Sequence, residues 1–125
     1  MVDEHDVRDI ALSLPDVTGD DGFSFRLGKT GIAWRYPERV HPKKARVPRK
    51  DIFVIRVADE DDKQALLQGE PEIFFTTDHY DGYPAVMVRL ARIDRARLTE
   101  LLTEAHAAAL AKNHRPGQGR RTSRA

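Results

Sequence analysis

The run DIFVIRV, residues 51–57, constrains the fold of this 125-residue chain more than any other stretch. Its apolar residues are nearly continuous, whereas a strand with one wet face alternates apolar with polar side chains. It is therefore predicted to be a central strand, which needs partners. FSFRL (23–27) alternates Phe23, Phe25 and Leu27 with Ser24 and Arg26, a strand with one buried face. After the turn residues GKTG, the stretch IAWRY (32–36) resumes the alternation and is expected to place Ile32, Trp34 and Tyr36 on one side, in the core. Further on, IFFTT and AVMVRLA read as two more strands, joined by DHYDGYP with its Asp81-Gly82 turn signal.

Helical periodicity frames these strands. Val7, Ile10, Ala11 and Leu14 share one face of a short helix, with Asp3 to cap it and Pro15 to stop it. Asp59 is placed to cap EDDKQALLQ, whose acids open the helix where the dipole favours them. From Asp94, the spacing of Leu98, Leu101, Leu102, Ala105 and Ala109 predicts a long helix ending near Lys112. The order is helix, three strands, helix, two strands, helix. That is an α+β fold, with helices over an antiparallel sheet of about five strands. Residues 1–112 are expected to form one domain, and the basic, apolar-poor segment 113–125 a disordered tail.

Chemistry is harder to find. The chain has no cysteine, which removes disulfides, thiolate nucleophiles and Cys-bearing zinc sites. No phosphate-loop motif, nucleophile elbow or H-E-x-x-H occurs, and no two of the five histidines are spaced i, i+4. The DEDD cluster (59–62) is explained by its position opening a helix. Asp78, His79, Tyr80 and Asp81 are the most enzyme-like grouping, and a small-molecule or metal site near His79 is the third functional reading. Yet Asp, Gly and Pro are also what a tight connection needs, and no third ligand or nucleophile accompanies them. No catalytic residues, cofactor or metal ligands are assigned. Without a secretory signal or an apolar run approaching the ~20 residues that span a bilayer, no membrane association is expected and the cytoplasm is the default.

Charge is unevenly distributed. The stretch WRYPERVHPKKARVPRK (34–50) holds seven basic side chains and one acid, a net +6, and 115–125 adds four arginines and no acid. The chain totals +1, so the rest is an acidic body at −9. Pro37, Pro42 and Pro48 are expected to keep any regular ladder or helix from running through the basic stretch. As an arm it suits counterion displacement along a phosphate backbone, and it equally suits docking on an acidic protein surface, including a second copy of the chain. Stacking of bases on Trp34 and Tyr36 is discounted, because both share the predicted Ile32 face.

The helix–hairpin–strand opening, the IAWRY strand, the D-x-x-x-x-x-L helix after the third strand and the closing LTELLTEA helix resemble the MmcQ/YjbR family. The resemblance runs from about residue 3 to about 111 and rests on structural motifs. It implies a CyaY-like fold with a "double-wing" arrangement, no enzymatic activity, and a nucleic-acid-binding role proposed from that shape. Carried onto this sequence, one wing is the arm, with Arg35, Arg39, Lys43, Lys44, Arg46, Arg49 and Lys50 as phosphate contacts. The other is 78–84, with His79, Tyr80 and Tyr83. That second wing departs from the family pattern, having two acids and no lysine, so Arg89, Arg92, Arg95 and Arg97 are the expected helpers. The resulting expectation is weak, low-specificity DNA binding by a non-enzymatic protein. A protein partner or homodimer engaged through the arm is the alternative.

Overall fold

The computed structural model of the chain describes residues 2–38 and 47–113. Helix α1 (Glu4–Ser13) opens with a capping box: the Asp3 carboxylate accepts the His5 and Asp6 amides, and Asp6 answers through the Asp3 amide. That amide, with help from the neighbouring Arg95 guanidinium, holds the Asp6 carboxyl below the ordinary aspartate range. Four strands follow, β1 (Val17–Gly19), β2 (Ser24–Leu27), β3 (Thr30–Glu38) and β4 (Val47–Arg56). Helix α2 (Glu60–Gly69) starts on Asp59, whose side chain accepts the Asp62 amide as expected. Then come β5 (Phe74–Phe75), β6 (Ala85–Arg89) and α3 (Arg95–Asn113). One antiparallel sheet results, in the order β1-β2-β3-β4-β6-β5.

The fold class is the expected one, with a sixth strand added. That strand, β1, is a three-residue edge whose Gly19 lies against Phe25. A Cβ at Gly19 would stand 2.6 Å from the Phe25 ring, so only glycine admits the pairing without displacing a core side chain. The DIFVIRV strand is central, as expected, and it alternates between two buried surfaces. Phe53, Ile55 and Val57 meet α1 and α3, together with Phe25, Leu27, Phe74, Val86 and Val88 from other strands. Val54 points to the opposite face, with Ala85, Met87 and Tyr80. A continuous apolar sequence is thus the sum of two period-2 patterns.

Two expectations for β3 need correction. Ile32 does not share a face with Trp34 and Tyr36. Phe25 pairs with Ala33 while Arg26 pairs with Gly31, so Ile32 is an extra residue, a β-bulge. The bulge turns Ile32 into the helix-side core with Ala33, and leaves Trp34 and Tyr36 half-buried on the opposite face. It also lays the Trp34 ring over Gly31, where a Cβ would meet it at 2.9 Å. Nor do Pro37 and Pro48 stop the ladder, for they pair with each other, and Glu38 pairs with Val47 beyond them. No third strand flanks this part of the hairpin among the described residues, so nitrogens facing outward have no ladder partner to lose.

The long helix ends one residue past its expected limit. Asn113 donates to the Leu27 carbonyl at 3.0 Å and accepts from the Thr30 hydroxyl at 2.6 Å, pinning α3 to the β2–β3 turn. Asn113, expected to begin the tail of 113–125, thus belongs to α3, and the rest of that tail, 114–125, lies outside the described residues.

Candidate nucleic-acid interface

The bulge and the prolonged hairpin place two features side by side: a ribbon leaving the sheet, and a face lined with aromatic rings. Pairing of β2 with β3 reaches only to Trp34, and pairing of β6 with β4 only to Ile52. From there outward, 36–38 and 47–49 form a two-stranded ribbon. It leads into 39–46, where the sequence puts Arg39, Lys43, Lys44 and Arg46. These four lie outside the described residues.

The other arm cations occupy distinct settings. Arg35 points to the helical side, where Nη2 and Nε both donate to Glu4 Oε1, at 2.6 and 3.0 Å, and the guanidinium lies 4.4 Å above the Phe23 ring. Arg49 grips the Asp51 carboxylate with two parallel bonds of 2.9 and 2.7 Å, which hold that carboxyl below its ordinary range. Lys50 is exposed, beside the start of α1 and the turn after β6, and makes no ion pair among the described residues. Of the expected helpers, Arg95 binds Asp6 and Arg97 binds Glu70 and Glu100. Arg92 is exposed. Arg89 donates to the Pro71 carbonyl and covers the Phe75 ring at 4.4 Å.

Segment 78–84 opens with a 3-10 turn, Asp78–Tyr80, and packs onto the sheet. Tyr80 is buried, while His79 and Tyr83 are exposed. What holds the turn down is Lys63 of α2, only 1% exposed, whose ammonium donates to the carbonyls of Tyr80 at 2.6 Å and Tyr83 at 2.8 Å. Arg56, also buried, donates to Tyr83 Oη and to the Gly31 carbonyl. Neither buried cation meets a carboxylate among the described residues, so both are satisfied by oxygen dipoles and act as struts. Sequence reasoning missed both. An arginine interrupting the DIFVIRV run was a usable sign of Arg56, but nothing in EDDKQ sets Lys63 apart from a solvated lysine.

The struts bring the segment against the base of the ribbon. Trp34 Nε1 donates to Tyr80 Oη at 3.3 Å, and the Trp34 and Tyr83 rings meet edge to face at 6.5 Å. Alongside, Tyr36 and Phe75 meet at 6.1 Å. The one tryptophan and all three tyrosines of the chain thus lie on the face opposite α1 and α3. A cleft of about 460 Å³ between α2 and α3 is lined mainly by alanine and leucine, and carries Arg56, Asp62 and Glu104 but no nucleophilic side chain. Among the described residues no three His, Asp or Glu side chains gather to hold a metal ion, and no helix is long and apolar enough to cross a membrane.

An antiparallel sheet backed by helices on one face, with the β3–β4 hairpin extended from it, defines an α+β protein without a recognisable catalytic constellation among the described residues. The chain matches the YjbR family over residues 12–108 and belongs to that family, the MmcQ/YjbR group its sequence resembles. It is 42% identical over 106 residues to the uncharacterized protein Rv2570 of Mycobacterium tuberculosis, and equally to the uncharacterized protein Mb2600 of Mycobacterium bovis. Each match covers 80% of this chain and 82% of the relative. No solved structure matches it significantly.

Proposed function

We propose that this protein binds nucleic acid non-enzymatically, with the β3–β4 ribbon as the phosphate-contacting element. The observation that carries the reading is the continuation of the β3–β4 pairing past the last neighbouring strands, on both sides of the most basic stretch of the sequence. Arg35 and Arg49 have carboxylate partners, so the phosphate contacts fall to Arg39, Lys43, Lys44, Arg46 and Lys50. Five such contacts correspond to a log–log salt slope of about −4.5 on duplex and about −3.5 on single strands. Contacts of this kind read charge and not base sequence, so affinity is weak and specificity low.

The test is fluorescence anisotropy with labelled DNA across a salt titration, comparing the wild type with Lys43/Lys44/Arg46→Ala. The substitution is expected to flatten the duplex slope by about 3 and to weaken binding at low salt by an order of magnitude or more. Absence of binding at low salt refutes the proposal. So does binding that is indifferent both to the triple substitution and to removal of 114–125. A change in oligomeric mass, with DNA binding unaltered, would instead make the arm a self-association surface.

A further inference from the structure

The sheet face opposite α1 and α3 combines exposed aromatic edges with arginine, next to the ribbon. Tyr83 is 39% exposed, and Trp34, Tyr36 and Phe75 are half-buried, so each offers part of a ring to solvent. A core cluster made only for stability would bury these rings more completely. Their polar companions are cationic: Arg89 over Phe75 and Arg56 under Tyr83. The bulge at Ile32 supplies the decisive step, since it sends Trp34 and Tyr36 out of the helix-side core and removes the reason to discount them as a stacking surface.

We infer that this face takes the unpaired bases of a single-stranded nucleic acid, with Tyr83 and Tyr36 as stacking rings and the phosphates running past Arg89 toward the base of the ribbon. The inference rests on the nucleic-acid reading of the ribbon and narrows it to single strands. Paired bases in a duplex turn only their edges outward and cannot reach the faces of such rings, whereas splayed bases can. Asp78 and Asp81, on the same segment as Tyr83, disfavour phosphates there. The backbone is therefore placed on the Arg89 side, with bases directed toward the rings. Stacking is tolerant of base identity because every base has a π-face, so no sequence preference follows.

Three probes of equal length separate stacking from charge: an oligothymidylate, its abasic counterpart with the same phosphates, and a duplex. Trp34, the one tryptophan, reports directly through its fluorescence. Oligothymidylate is expected to bind about tenfold or more tighter than the abasic strand, and to quench Trp34 where the abasic strand does not. Tyr83→Ala should remove most of that preference while leaving abasic affinity unchanged, and Tyr83→Phe should restore it. Equal affinity for thymidylate and abasic strands, or tighter binding of the duplex, overturns the stacking inference and leaves the ribbon reading standing. Binding of none of the three at low salt overturns both.

Discussion

Lys63→Met is expected to destabilise the protein by about 2–3 kcal/mol and to lower its melting temperature by roughly 10 °C. Methionine keeps most of the hydrocarbon stem, so little packing is lost, but the carbonyls of Tyr80 and Tyr83 lose their charged donor and keep only the amides of Tyr83 and Ala85. Losing a hydrogen bond from a charged donor costs about 1.5–3 kcal/mol. Relief from burying an ammonium offsets part of this, which keeps the net below the sum of two such penalties. Because Tyr80 holds the Trp34 indole and Tyr83 abuts its ring, loosening the turn should also alter Trp34 emission before global unfolding. Thermal unfolding followed by circular dichroism and by tryptophan fluorescence measures both effects. A melting temperature within 2 °C or so of wild type would show that Lys63 is not what fastens the turn.

Arg35→Ala has the second largest expected effect, a loss of about 2 kcal/mol without loss of nucleic-acid affinity. The Arg35–Glu4 pair is mostly shielded, its side chains 16% and 13% exposed, and the guanidinium also lies on Phe23. Removing it leaves the Glu4 carboxylate in a poorly solvated position at the start of α1. Breaking a fully buried pair costs about 3–5 kcal/mol, and this partly wet one falls below that. The double variant Glu4→Ala/Arg35→Ala should recover part of the loss, which chemical denaturation of the four-protein cycle measures. Arg35 projects to the helical side, away from the aromatic face. If Arg35→Ala weakened DNA binding tenfold at unchanged stability, Arg35 would be a phosphate contact after all.

Much of the fold was legible because its determinants are local. The caps at Asp3 and Asp59, the alternation in FSFRL and the spacing of Leu98, Leu102, Ala105 and Ala109 specify their elements within a few residues. The face assignment in β3 was not legible in the same way. A bulge is a property of two strands in register, and the IAWRY sequence by itself reads as an unbroken alternation. Strand β1 escaped for a similar reason, since Val17–Gly19 has no pattern of its own and its pairing depends on a glycine standing opposite Phe25.

The candidate site divides along the same line. Its charge is a sum over sequence and could be counted, whereas the carboxylate partners of Arg35 and Arg49 and the struts at Lys63 and Arg56 depend on what the fold brings near. Of the pairs, only Arg49 and Asp51 are close in sequence. Prolines 37 and 48 misled because their effect depends on where the missing N–H would have pointed, which a two-stranded ribbon makes inconsequential.

The central claim is that nucleic acid meets the ribbon and the aromatic face, and not the helical layer. Amide and indole NMR shifts of the isotope-labelled protein, titrated with an oligothymidylate at low salt, address it residue by residue. Shifts are expected at the Trp34 indole N–H, Tyr36, Phe75, Tyr83 and Arg89, with α1 and α3 silent. Shifts confined to the α2–α3 cleft, or none at a concentration that saturates binding, would contradict it.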